Sequence, residues 1–264
     1  MRPREVSPSK LNLFLQCAQR YYFEYLDPQL VPIKREIKKK RPELEMGSFI
    51  HDSLTLFFKE SVENRTWQTM VDILKGVWNG PRGELWGFKT IKEERHYYQE
   101  ALNMLEWFVK NTNLNPSIFA LPSSPPGKSF DDYKKIPFDE ELELGGKIDR
   151  IDVAPDGNLE IIDYKTGKEK KETFQLMIYV FLAEGLFDKP VNKASYLYLK
   201  SCNWEPIIPN ESLRQQTRKE ILEIVDKISN EKEWNPNISK LCAYCDYIDF
   251  CPAKKDEKSS QDPF

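Results

Sequence analysis

Two short segments of alternating apolar residues, Lys147–Val153 and Leu159–Lys165, flank Pro155-Asp156-Gly157. A period of two marks a strand whose faces meet different surroundings, and glycine supplies the left-handed backbone that closes a three-residue hairpin loop. With that loop Val153 opposes Leu159 and, counting outward, Asp149 opposes Asp163. Side chains alternate across a strand, so Asp149 falls on the face of Ile151 and Val153, while Asp163 and Lys165 fall on the face of Leu159 and Ile161. The spacing predicts a hairpin with charged groups on its apolar, inward side.

The surrounding chain predicts mixed helix and strand. Ser7-Pro8 is a helix start, and Leu11, Phe14, Leu15, Ala18, Tyr22 and Tyr25 recur at helical spacing as far as Asp27-Pro28. Further helices are expected over Met46–Phe58 and Glu93–Val109, so residues 1–110 read as mainly helical. Pro116, Pro122, Pro125, Pro126, Gly127 and Pro137 suit an exposed connection over Asn111–Pro137. Leu142 and Leu144 alternate with acids and Gly145-Gly146 reads as a turn, which makes a three-stranded antiparallel meander with the hairpin. A helix over Glu172–Leu186, a strand over Ala194–Leu199 and a helix over Glu211–Ile228 follow. The expected fold is α/β, a mixed sheet flanked by helices. We expect one domain over 1–264, with a core at 138–200 and a helix and cysteine cluster at 211–264.

Two carboxylates side by side on a buried face repel and lose hydration, which a divalent cation such as magnesium or manganese relieves. A lysine two residues beyond the second carboxylate can orient water and balance the charge that develops when a phosphodiester is split. A D-x-K tripeptide alone is more commonly a salt-bridged hairpin. Here it stands in Gly145-Gly146-Lys147-Ile148-Asp149-Arg150-Ile151-Asp152 followed by Ile161-Ile162-Asp163-Tyr164-Lys165-Thr166-Gly167. That order resembles the PD-(D/E)xK nuclease superfamily, and in particular its RecB-like branch. Gly47-Ser48-Phe49-Ile50-His51 looks like that branch's G-x-x-x-H helix, and Gln175–Tyr179 like its Q-x-x-x-Y helix.

The resemblance implies a restriction-endonuclease-like core. His51, Asp149, Asp163 and the Tyr164 carbonyl would hold the metal, Lys165 would be catalytic, and Gln175 and Tyr179 would lie near the substrate backbone. Positions four apart share a helical face, which agrees with the last pair.

Cys242-Ala243-Tyr244-Cys245 followed by Cys251-Pro252 has the spacing of metal ligands, and Cys17 is the candidate fourth. AddB-like and CRISPR adaptation nucleases of the same branch bind a [4Fe-4S] cluster through one cysteine before the core and three after it. The resemblance therefore implies an iron–sulfur clasp joining the N- and C-terminal regions, with structural zinc the alternative. Alanine follows Cys17 where that family usually has proline. Cys202 stands apart as an ordinary thiol.

Lys+Arg 39 against Asp+Glu 42 leaves a net charge of only -3, so a polyanion would have to be met by a local basic patch. Lys34 to Arg41, which includes Lys39 and Lys40, is the densest basic run, and Lys168, Lys170 and Lys171 follow the candidate strand, with Arg150 beside Asp149. The N-terminus lacks an apolar leader and no apolar run spans a bilayer, so a cytoplasmic protein with no membrane partner is expected. The function expected is hydrolysis of DNA, from single strands or free ends, in repair, recombination or CRISPR adaptation. A phosphate-cradling G-x-x-x-x-G-K-[ST] is missing, so unwinding would need a separate helicase; CRISPR integration proteins are the other expected partners. The rival reading from another class is a catalytically silent DNA-binding or scaffold subunit.

Overall fold

The computed structural model describes residues 2–80, 82–122, 133–170 and 172–254. In chain order these form β1 (Glu5–Val6), α1 (Pro8–Gln16), α2 (Ala18–Tyr25), α3 (Lys34–Ile37), α4 (Pro42–Lys59), α5 (Trp67–Trp78) and α6 (Ile91–Asn111). Next come β2 (Ile118–Ala120), β3 (Lys134–Pro137), β4 (Glu143–Gly146), β5 (Arg150–Val153) and β6 (Leu159–Lys165). The chain continues through α7 (Phe174–Phe187), β7 (Val191–Tyr198), β8 (Asn203–Ile207) and α8 (Glu211–Asn230). Two compact units result: a central one over Lys40–Thr217, and a terminal one that combines Met1–Lys39 with Arg218–Phe264.

The central unit is built on a five-stranded sheet in the order β2-β5-β6-β7-β8. Its β5–β6 hairpin has the register the loop predicts, with Val153 opposite Leu159 and Arg150 opposite Ile162. Ala154 N donates to Asn158 O at 2.8 Å across the loop, and Gly157 takes φ 84. β6 and β7 are parallel, which requires a crossover, and α7 supplies it.

Both sheet faces are covered. On one side Leu176, Met177, Val180 and Ala183 of α7 pack on Ile151, Leu159, Ile161, Ala194 and Tyr196. On the other, Ile162, Tyr164, Leu197 and Leu199 meet Phe49, Ile50 and Leu54 of α4 together with Leu105 and Phe108 of α6. Such double burial shows in the consecutive buried residues Ile161–Tyr164 of β6 and Ala194–Tyr198 of β7. No helix among the described residues is long and apolar enough to cross a membrane.

The structure corrects several expectations. The meander does not form: β4 pairs antiparallel with β3, from Lys134↔Gly146 to Pro137↔Glu143, and the hairpin pairs instead with β2. Gly145 and Gly146 thus lie inside a strand rather than at a turn. A Cβ on Gly146 would stand 3.0 Å from Tyr179 Cε1, so glycine is needed there for close approach. The expected connection contributes β2 and β3, and its Pro125, Pro126 and Gly127 lie outside the described residues.

The first helix is two helices. Cys17 is extended (φ -164, ψ 110), its N–H closing α1 on Leu13 O at 2.9 Å and its carbonyl accepting from Tyr21 N at 3.1 Å. Apolar spacing ran on through the break, so periodicity alone missed it. The helix start is as read: the Ser7 side chain accepts from Lys10 N, with Pro8 in the first turn. Helix α5 and strand β8 had no counterpart in the expectation.

Candidate active site

The candidate residues His51, Asp149, Asp163, Tyr164, Lys165, Gln175 and Tyr179 all belong to the central unit. Asp163, Tyr164 and Lys165 form the C-terminal end of β6. Asp149 sits at a bend one residue before β5, His51 lies on α4, and Gln175 and Tyr179 are one turn apart on α7. Helix α4 comes close because residue 47 is glycine: a Cβ there would be 3.0 Å from Thr166 Oγ1.

Two hydrogen-bonded groups result. In the first, His51 Nδ1 lies 3.0 Å from Asp149 Oδ1, and Tyr164 N donates to Asp149 Oδ2 at 2.9 Å. In the second, Lys165 Nζ lies 2.7 Å from Asp163 Oδ2 and donates to Gln175 Oε1 at 2.9 Å. Gln175 Nε2 in turn donates to Tyr179 Oη at 2.9 Å and to Asp163 Oδ1 at 3.5 Å.

Electrostatics separates the two carboxyls. Burial, and then the charge of Asp149, push Asp163 up to about 6, with Lys165 opposing. Burial would raise Asp149 too, but His51, the Tyr164 amide and Lys165 outweigh it and hold that carboxyl below its usual range. Burial disfavours a charged His51, yet Asp149 and Asp163 prevail and raise it. Tyr179 is raised by burial and the two aspartates.

Two carboxylates are hard oxygen donors of the kind divalent cations take and a histidine nitrogen is a borderline donor, and Asp163 is raised first by burial and then by the charge of Asp149, so the donor chemistry fits such an ion. The geometry is less gathered: among the described residues no group of three His, Cys, Asp or Glu stands so as to hold a metal ion.

Arg150, expected to reach nucleic acid, is buried at 5% exposure on the opposite face of the sheet. It donates to Tyr164 Oη at 3.0 Å and Asp152 Oδ2 at 2.8 Å, with its guanidinium 4.5 Å from the Phe58 ring centroid. Alternation across the strand sends it away from Asp149, so it holds the sheet and no phosphate. Lys39, Lys168 and Lys170 are exposed, and Lys171 lies outside the described residues. Lys40 is ion-paired with Glu45 at 3.1 Å and lies over Trp86.

Sequence reasoning missed Tyr196 and Tyr198, the β7 partners of Asp163 and Lys165. Tyr198 Oη accepts from Lys170 N at 3.2 Å and donates to Lys170 O at 2.9 Å, fastening the segment after β6. The Y-x-Y alternation in β7 was the available signal.

In the terminal unit, Cys17, Cys242, Cys245 and Cys251 line one cavity of about 200 Å³. All are free thiols. Asn237 N donates to Cys17 Sγ and Ser239 N to Cys242 Sγ, each at 3.4 Å. Burial raises the Cys245 thiol, and Cys17 and Cys251 add to that. Sulfur donors that receive amide hydrogen bonds suit iron–sulfur or zinc chemistry.

Two carboxylates, a lysine and a histidine thus lie toward one end of a mixed sheet flanked by helices. The family model "PD-(D/E)XK nuclease superfamily" matches residues 5–252, and the chain belongs to that superfamily. It is 25% identical over 177 residues to an ATP-dependent helicase/deoxyribonuclease subunit of Streptococcus uberis (strain ATCC BAA-854 / 0140J), covering 63% of this chain and 14% of that protein. This chain thus spans only a small part of that relative's length. A solved structure from Eubacterium rectale, named "Putative exonuclease", matches with a TM-score of 0.52 at 12% identity, over 92% of this chain and 87% of the other. That likeness concerns the fold alone.

Proposed function

We propose that the chain is a divalent-metal-dependent DNA exonuclease of the cytoplasm, acting on single strands or free duplex ends in repair, recombination or CRISPR adaptation. The observation that carries this reading is the linked set of Asp163, Lys165, Gln175 and Tyr179 beside the His51–Asp149 pair at one end of the sheet. His51, Asp149, Asp163 and the Tyr164 carbonyl would hold magnesium or manganese. When bound, that ion supplies a Lewis acid for the phosphoryl oxygen and lowers the pKa of water.

The chain's own groups have separable tasks. Lys165 presents a positive charge where negative charge grows on the phosphate as water's oxygen bonds to phosphorus and the bridging P–O bond breaks. Gln175 fixes that ammonium through its carbonyl while its amide group holds Tyr179. Lys39, Lys40, Lys168 and Lys170 would each serve as a phosphate contact, a role that their exposure supports. The helicase/deoxyribonuclease name of the streptococcal relative favours DNA as substrate and a helicase as partner; CRISPR integration proteins are the other candidates.

The four cysteines are proposed to hold a [4Fe-4S] cluster, with zinc the alternative. Their shared cavity and free thiols support this, and free thiols also suit a reducing cytoplasm. Visible absorbance of anaerobically purified protein separates the two, since only the cluster is coloured.

The test is cleavage of end-labelled single-stranded and duplex DNA with magnesium or manganese by the unmodified protein, Lys165→Ala and Asp163→Ala. Cleavage that both substitutions abolish supports the nuclease. DNA left intact by folded, metal-supplied protein moves the assignment to a silent DNA-binding or scaffold subunit.

A further inference from the structure

We infer that Tyr196 is a positioning residue for the Lys165 ammonium, holding it over the face of its ring. Tyr196 lies on β7 directly beside Asp163 in the parallel pairing and is 1% exposed. The Lys165 Nζ stands 4.9 Å from its ring centroid. The ammonium is therefore bounded by Asp163 Oδ2 at 2.7 Å, Gln175 Oε1 at 2.9 Å and the aromatic face.

A lysine side chain is long and flexible, and its ordering costs entropy that each fixed contact offsets. A carboxylate and an amide fix two directions. The ring quadrupole supplies a third attraction that needs no hydrogen bond and strengthens when water is excluded. Its buried hydroxyl has no hydrogen-bond partner among the described residues, so it is the ring of Tyr196, and not the hydroxyl, that meets Lys165. The ring itself is held from the side by Tyr198, at 5.8 Å between centroids, whose hydroxyl is fastened to Lys170. The platform is thus built into the sheet.

The kinetic arm of the test rests on the nuclease reading, and the spectroscopic arm does not. In metal-free protein carrying ¹³C-lysine, with the resonance assigned through Lys165→Arg, the ring current should move the Lys165 Cε protons upfield. That displacement should collapse in Tyr196→Leu and persist in Tyr196→Phe. In the DNA assay Tyr196→Leu should lower kcat about tenfold with KM within about twofold, and Tyr196→Phe should recover most of the loss.

Tyr196→Met gives a second ring-free variant should leucine not fold. A Lys165 signal at the free-lysine position in unmodified protein overturns the inference, as does a folded ring-free variant that keeps both the displacement and kcat. A Phe variant as impaired as the Leu variant overturns it too, because the hydroxyl would then carry the role. If no form of the protein cleaves DNA, the nuclease reading fails and the spectra alone decide the placement of Lys165.

Discussion

At one end of the β5–β6 hairpin, Asp149 and Asp163 stand with one lysine, Lys165, and one histidine, His51, carried by α4. On the α4 side of the same strands, Arg150 meets one carboxylate, Asp152, and one phenol, Tyr164, and leans on Phe58. Arg150, Asp152 and Tyr164 are buried, whereas of the first set only Asp163 is, with His51, Asp149 and Lys165 half-buried. The second sets one cation against one anion, although burial raises Asp152 too and leaves Arg150 Nε and Asp152 Oδ1 without a hydrogen-bond partner among the described residues, while in the first Asp163 is pushed up to about 6 by burial and by Asp149. Buried charge that serves structure is paired one to one. Crowded like charge is tolerated where something else is to be held or transformed.

The contrast breaks most sharply at Lys165. Lys165→Ala should lower DNA cleavage by about 10²–10³-fold, as loss of a single group that stabilises transition-state charge does, with little change in thermal midpoint. Arg150→Ala should do the reverse. It strands Asp152, at 8% exposure, as an uncompensated charge, and should cost about 3–5 kcal/mol in urea titration, whereas cleavage per folded molecule changes far less.

A smaller effect follows from pH. The folded pKa of Asp163 lies above its ordinary value, so its contribution to stability is present below about pH 4 and lost as pH rises through about 6. In metal-free protein Asp163→Asn should therefore gain about 1–3 kcal/mol over the unmodified chain at pH 7, and the gain should vanish below about pH 4. Parallel curves for the two proteins across that window would mean that the fold does not raise Asp163. Least affected is Gly157→Ala in the loop. The site is open, with no atom within 4 Å of an added Cβ, so only the left-handed backbone resists, at about 1 kcal/mol and equally for both faces.

The hairpin was legible because its information is local: a loop with glycine at the left-handed position dictates which residues face each other, and alternation dictates the faces. The same rule sends Arg150 to the face opposite Asp149, so neighbours in sequence are separated in space. What the sequence hid depends on distant partners. Nothing near Asp163 announces that Tyr196 lies beside it, because a parallel pair is joined only through a helix. The break at Cys17 was invisible for a different reason, since both short helices keep the same apolar rhythm. Gly145-Gly146 read as a turn because glycine signals close approach as well as bending, and only the Tyr179 ring tells the two apart.

The terminal unit draws Cys17 from the start of the chain and Cys242, Cys245 and Cys251 from its end. On the ribosome Cys17 emerges first and waits while more than two hundred residues are translated, roughly ten to forty seconds at ordinary elongation rates. The last residue of the central unit, Thr217, is translated before Cys242, Cys245 and Cys251, so the whole nuclease core has been synthesised before the cysteine cavity can exist. Until then Cys17 is a thiol without the three others that share its cavity, and oxidants or metals that reach the nascent chain meet it before its companions.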